Sequence, residues 1–147
     1  MKIEYNNVYT HFVFTTFERK CMITEESRTR IEKYITGVVS NHASKLYAIY
    51  ANPEHMHMLI SRIPSLSEEK LASIIVNSSE SFINENKLVA GRFKWQQSAS
   101  AFSVSKSHID RMCKYILNQP EHHKTVSSLE EHERFLKHYQ KKTKYNW

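Results

Sequence analysis

The feature that most constrains this chain is a hydrophobic period that switches back and forth between two and 3.6 residues. From Tyr5 to Thr16 the stretch YNNVYTHFVFTT alternates around β-branched and aromatic residues, the pattern of a strand. Thr24 then caps a helix whose first turn carries Glu25 and Glu26, favourable at the positive end of a helix. Ile31, Tyr34, Ile35, Val38 and Val39 recur on one helical face. Two further strands follow, Lys45–Ala51 and His55–Ile63, joined by the turn residues Asn52 and Pro53. The capping box Ser65-Leu-Ser-Glu68 opens a second helix with Leu71, Ile74, Ile75, Phe82 and Ile83 as its apolar face. An extended stretch covers Gly91–Val104, and a third helix runs from Ser107 to Gln119, stopped by Pro120. A last helix starts at Ser128-Leu-Glu-Glu131 and turns Phe135, Leu136 and Tyr139 inward. This order predicts one α+β domain over residues 1–147, a ferredoxin-like antiparallel sheet flanked by helices.

Composition narrows the function classes. No run approaches the roughly 18 apolar residues that cross a bilayer, and the start MKIEYNNVYT lacks the apolar core of a signal peptide, so a cytoplasmic protein is expected. Cys21 and Cys113 are far apart with no CxxC spacing, which argues against a disulfide framework or a cysteine zinc site. With only Gly37 and Gly91, the chain cannot build a glycine-rich phosphate cradle, and no nucleotide cofactor is expected. The net charge of +6 suits an acidic partner such as nucleic acid.

Two segments carry chemistry. In Glu54-His55-Met56-His57-Met58, strand alternation projects His55 and His57 to one side, while Met56, Met58 and Ile60 face the other. Two imidazoles so placed can ligate one metal ion through neutral nitrogens, though an HxH can also merely decorate a solvated face. In the helix SHIDRMCKYILNQ, the apolar stripe is Ile109, Met112, Cys113 and Ile116. The opposite side carries His108, Arg111, Tyr115 and Gln119. Tyr115 and Gln119, one turn apart, are neighbours on a continuous helix. A phenol of pKa about 10 is a weak nucleophile, but beside a cation that polarises a phosphate it can become a phosphotyrosine. An amphipathic tyrosine at a helix boundary is the plainer alternative.

Together these segments resemble the HUH single-tyrosine transposases of small bacterial insertion sequences, the IS two-hundred type, and the related repeat-associated tyrosine transposases. His55-Met56-His57 matches the histidine–bulky–histidine motif, and Tyr115 with Gln119 matches the nucleophile followed by glutamine four residues on. The likeness extends through Tyr9–Thr16, Phe93-Lys-Trp-Gln96, Ala101–Ser105 and Asn118–Lys124. It departs at Gln97-Ser-Ala-Ser-Ala101, where relatives commonly carry Gly-Tyr. The resemblance implies a Mg2+ or Mn2+ ion held by His55, His57 and Gln119, and attack by Tyr115 on a scissile phosphate of single-stranded DNA near hairpins at element ends. It further implies a 5′-phosphotyrosine with a free 3′-hydroxyl, and a homodimer.

Arg92, Lys94, Trp95, Lys106 and Arg111 mix cations with an aromatic ring around the tyrosine helix, a combination suited to tracking and stacking on a single strand. Lys137, Lys141, Lys142 and Lys144 offer further phosphate contacts near the C-terminus. Glu121-His122-His123, just past Pro120, reads as a helix exit rather than a second metal site. Two other readings stand beside the transposase: a replication-initiator or relaxase-like nickase, and a non-catalytic nucleic-acid-binding domain, which needs neither HxH nor Tyr115.

Overall fold

Strands β1 (Tyr9–Thr15) and β3 (His55–Ser61) are buried along six of their seven residues, so the sheet is covered on both faces at its centre. This computed structural model describes residues 1–123 and 127–141. The chain divides into two compact units, Met1–Leu117 and Asn118–Trp147.

In the first unit, β1, helix α1 (Glu25–Asn41), β2 (Lys45–Ala51), β3, helix α2 (Glu68–Glu85) and β4 (Ser100–Val104) follow in chain order. The strands pair antiparallel in the order β2-β3-β1-β4, the ferredoxin-like arrangement that the periodicity predicts. Register places His11 opposite Leu59 on one side and Phe102 on the other, and Thr15 opposite His55.

One sheet face is a conventional core. Phe12, Phe14, Met56, Met58 and Ile60 pack with Ile31, Ile35 and Val39 of α1 and Leu71, Ile75 and Ile83 of α2. Each such side chain contributes about 1.5–3 kcal/mol on burial. Thr24 starts α1 with a reciprocal cap: its hydroxyl accepts from Ser27 N–H at 3.2 Å, and Ser27 Oγ accepts from Thr24 N–H at 3.0 Å. The cap of α2 is Ser67, whose hydroxyl accepts from Lys70 N–H, rather than Ser65.

The other face is smaller. Helix α3 (Ile109–Leu117) lies across β2 and β3 and buries Ile116 with Tyr9, Ala48, Leu59 and Val104. Several boundaries depart from the sequence reading: β1 starts at Tyr9 rather than Tyr5, and β3 ends at Ser61 rather than Ile63. The stretch predicted as extended from Gly91 forms only β4, preceded by a single bridge between Trp95 and Thr16, because Gln96–Ala99 loop outward. The third helix ends at Leu117, not Gln119, and Pro120 stops nothing: it lies in the first turn of a new short helix α4 (Gln119–His122), where its missing N–H has no helical partner to lose.

In the second unit, α5 runs Ser128–Lys141, with Ser127 Oγ accepting from Glu130 N–H at its start. Leu136, predicted to face inward, is exposed. The side chains of Phe135 and Tyr139, and Lys124, Lys142 and Lys144, lie outside the described residues. Among the described residues no helix is long and apolar enough to cross a membrane.

Candidate active site

His55 and His57 share one face of β3, as alternation requires, but that face is not solvated: they are 2% and 0% exposed beneath α3. Their rings stand edge to face with centroids 5.0 Å apart.

The hydrogen bonds fix the proton on His55. Its Nδ1 lies 2.9 Å from a carboxylate oxygen of Glu54, which can only accept, so Nδ1 carries the hydrogen. Its Nε2 lies 3.2 Å from the Asn52 amide nitrogen, which can only donate. Both contacts assign His55 to the tautomer with a lone pair on Nε2. Such a pattern, one ring nitrogen anchored to a carboxylate and the other carrying the lone pair, is that of a metal-ligating histidine. A cation taking that lone pair displaces the weak Asn52 contact. Glu54 also accepts from Cys21 Sγ at 3.7 Å; burial and this carboxylate push the Cys21 thiol up.

His57 is anchored differently. Its Nδ1 is 2.8 Å from Nε2 of His11, a fully buried residue of β1, and the two rings stack with centroids 5.0 Å apart. His11 escaped the sequence reading because a lone histidine in an alternating strand has no spacing signal, and its partner lies 46 positions away.

Tyr115 completes this cluster. It is half-buried on α3 and sets its ring edge-on to His57 and His11, at centroid distances of 5.8 and 6.5 Å. Contrary to the helical-wheel reading, Tyr115 packs against the sheet together with Ile109, Met112 and Cys113 of the stripe, while His108 and Arg111 stay exposed. Gln119 falls on α4, after the break at Asn118. Within the second unit Gln119 Oε1 accepts from His123 Nε2 at 2.7 Å, and Glu131 Oε2 takes His122 Nε2 at 2.8 Å and His123 Nε2 at 3.5 Å. His122 and His123 are therefore linked by the Glu131 carboxylate, and His123 and Glu131 are metal-capable donors, as His55 and His57 are in the first unit.

Four of the five residues expected at DNA are exposed: Arg92, Lys94, Lys106 and Arg111. Lys94 spreads its ammonium over the Phe17 ring, 4.6 Å from the centroid. Trp95 is a correction. It is fully buried, donates from Nε1 to Ser79 Oγ at 2.8 Å and packs against Phe14 and Phe93, so it offers no face to a base. A cavity of about 460 Å³, lined in part by Phe12, Phe14, Ala72, Val76 and Gln97, opens elsewhere and shares no residue with the histidine cluster.

The fold is similar to those of two proteins of known structure. One is a protein from Deinococcus radiodurans R1 designated a transposase: TM-score 0.56, 17% identity, covering 81% of this chain and 96% of that one. Another is a REP-associated tyrosine transposase bound to a REP hairpin: TM-score 0.60, 16% identity, covering 86% of this chain and 74% of that one. Among curated proteins there is no match. The family model described as "Transposase IS200 like" matches residues 4–119, and the chain belongs to that family of DNA-processing enzymes.

Proposed function

We propose that this protein is a transposase that cuts and rejoins single-stranded DNA at element ends, with Tyr115 as nucleophile and a Mg2+ or Mn2+ ion held by His55, His57 and Gln119. The observation that carries the reading is the edge-on approach of Tyr115 to His57 within one chain. The donor chemistry of His55 fits a divalent cation, since its Nε2 bears a lone pair while Nδ1 is held by Glu54. Gln119 belongs to the second unit, and its part in the set rests on the family motif.

When bound, the ion neutralises charge on the non-bridging oxygens of the phosphate. The chain supplies the remainder. Tyr115 Oη bonds to phosphorus as the bond from phosphorus to the 3′ oxygen breaks; the phenol loses its proton and the departing 3′ oxygen takes one up. One phosphodiester replaces another, so no nucleotide is consumed. Rejoining is the reverse, with a 3′-hydroxyl attacking and the phenol leaving. Burial of the histidine pair keeps water from the ligand nitrogens, and the exposed cations Arg92, Lys94, Lys106 and Arg111 hold the strand through its phosphates. The substrate in this reading is a hairpin-bearing end, as the REP hairpin bound by the REP-associated transposase suggests, and the proposed working form is a homodimer.

The experiment is strand cleavage of an end-labelled single-stranded hairpin in Mn2+. A free 3′-hydroxyl fragment together with a protein-linked 5′ fragment is expected. Tight binding without any cleavage would instead favour the non-catalytic DNA-binding reading.

A further inference from the structure

Each histidine of the pair is held through Nδ1, but by different means: His55 by the Glu54 carboxylate, His57 by a second imidazole. A carboxylate can only accept, whereas an imidazole can do either. The 2.8 Å contact between His57 Nδ1 and His11 Nε2 has one proton to share when both rings are neutral. If His11 gives that proton, His57 must carry its own on Nε2, and neither of its nitrogens has a lone pair for a cation. If His57 gives it, the lone pair sits on Nε2. The direction of this single bond therefore decides whether His57 can be a ligand.

We infer that His11 is a positioning residue that accepts the Nδ1 proton of His57, locking that ring in the tautomer that puts the ligand lone pair for a divalent cation on Nε2. The inference rests on the proposed metal reading of His57. Two observations and one general cost support it. His11 is fully buried on the central strand, where register fixes its Cα opposite Leu59 and Phe102, so its ring cannot swing out to solvent. The rings lie nearly parallel, 23° apart, with the nitrogens at full hydrogen-bonding distance. Burying an imidazole where a leucine would pack costs free energy unless its polar atoms are used. A ligand's second nitrogen is commonly held this way, and losing that hold costs roughly ten- to hundredfold in metal affinity.

The test reads the proton without needing catalysis. Long-range ¹H–¹⁵N correlation spectra of the metal-free full chain, at about pH 8 where unperturbed imidazoles are neutral, should show His57 protonated on Nδ1 and unprotonated on Nε2. His11→Gln keeps an acceptor oxygen and should keep that signature. His11→Leu removes the acceptor and should move His57 toward the Nε2–H form, with Mn2+ affinity falling roughly ten- to hundredfold. Circular dichroism checks that each variant is folded. A wild-type His57 already protonated on Nε2 overturns the inference even if His11→Leu fails to fold, as does a folded His11→Leu protein with the His57 signature and Mn2+ affinity unchanged. Because the spectra are taken without DNA or metal, a failed tautomer assignment bears on His57 as a ligand and leaves Tyr115 as the proposed nucleophile standing. Conversely, an inactive protein with the expected tautomer would condemn the strand-cleavage proposal alone.

Discussion

Tyr115 stands edge-on to His57, their ring centroids 5.8 Å apart, although 57 residues of sequence separate them. The approach is produced by the fold: β3 presents the imidazole on the sheet face that α3 covers, and α3 leans on that face through Ile116.

If His55 and His57 ligate a cation, Mn2+ must stabilise the folded chain, because the unfolded chain holds no such pair. At a hundredfold excess over its dissociation constant the gain is about 2.7 kcal/mol. A rise in melting temperature with Mn2+, absent in His57→Ala, is expected. An equal rise in both proteins would remove His57 from the ligand set.

Trp95 should behave as a core residue. Trp95→Ala is expected to cost about 3–5 kcal/mol of stability and leave Ser79 Oγ without its indole donor. The milder Trp95→Phe should lower the urea midpoint yet leave single-strand affinity unchanged. Lost affinity at unchanged stability would return the indole to the DNA surface.

The exposed cations should act through phosphates. Replacing Arg92 and Lys94 by alanine should weaken binding of any single strand alike and reduce the salt slope of log affinity by about 0.7 per lost contact. Fluorescence anisotropy at several salt concentrations measures this; an unchanged slope would place the strand elsewhere.

Glu32 gives the chain a pH-dependent term. Burial raises its carboxyl above the ordinary value, outweighing Arg28 and the Ala51 N–H that favour the charge. The folded state thus holds this proton more tightly than the unfolded one. That contribution to stability is complete below the unfolded pKa of about 4.3 and is lost as pH rises through the higher folded value. Relative to Glu32→Gln, the wild type should therefore lose stability across that interval in urea titrations. A wild type that gains stability there relative to the variant would reverse the assignment.

The sheet and its two long helices are legible in the sequence because burial on a regular element leaves a period, as Met56-Met58-Ile60 against His55-His57 shows. What escaped is what a period does not encode. Trp95 among Arg92 and Lys94 has the composition of a nucleic-acid surface, and its contacts with Phe14 and Ser79, distant in sequence, mark it as core. Pro120 reads equally as the end of one helix or the start of another, and the break at Asn118 decides it. His11 is the most consequential omission, since its partnership with His57 exists only once β1 and β3 pair. Tyr115 and the histidine pair were found by motif, and the contact between them is a product of the tertiary fold.

The most direct measurement is the site of the covalent bond. After incubation with Mn2+ and a single-stranded hairpin substrate, the SDS-stable adduct is digested and its DNA-bearing peptide identified by mass spectrometry. The phosphodiester is expected on the Tyr115 oxygen, with Tyr115→Phe folded, binding DNA and forming no adduct. An adduct carried by any other residue, or one that persists in Tyr115→Phe, would contradict the account.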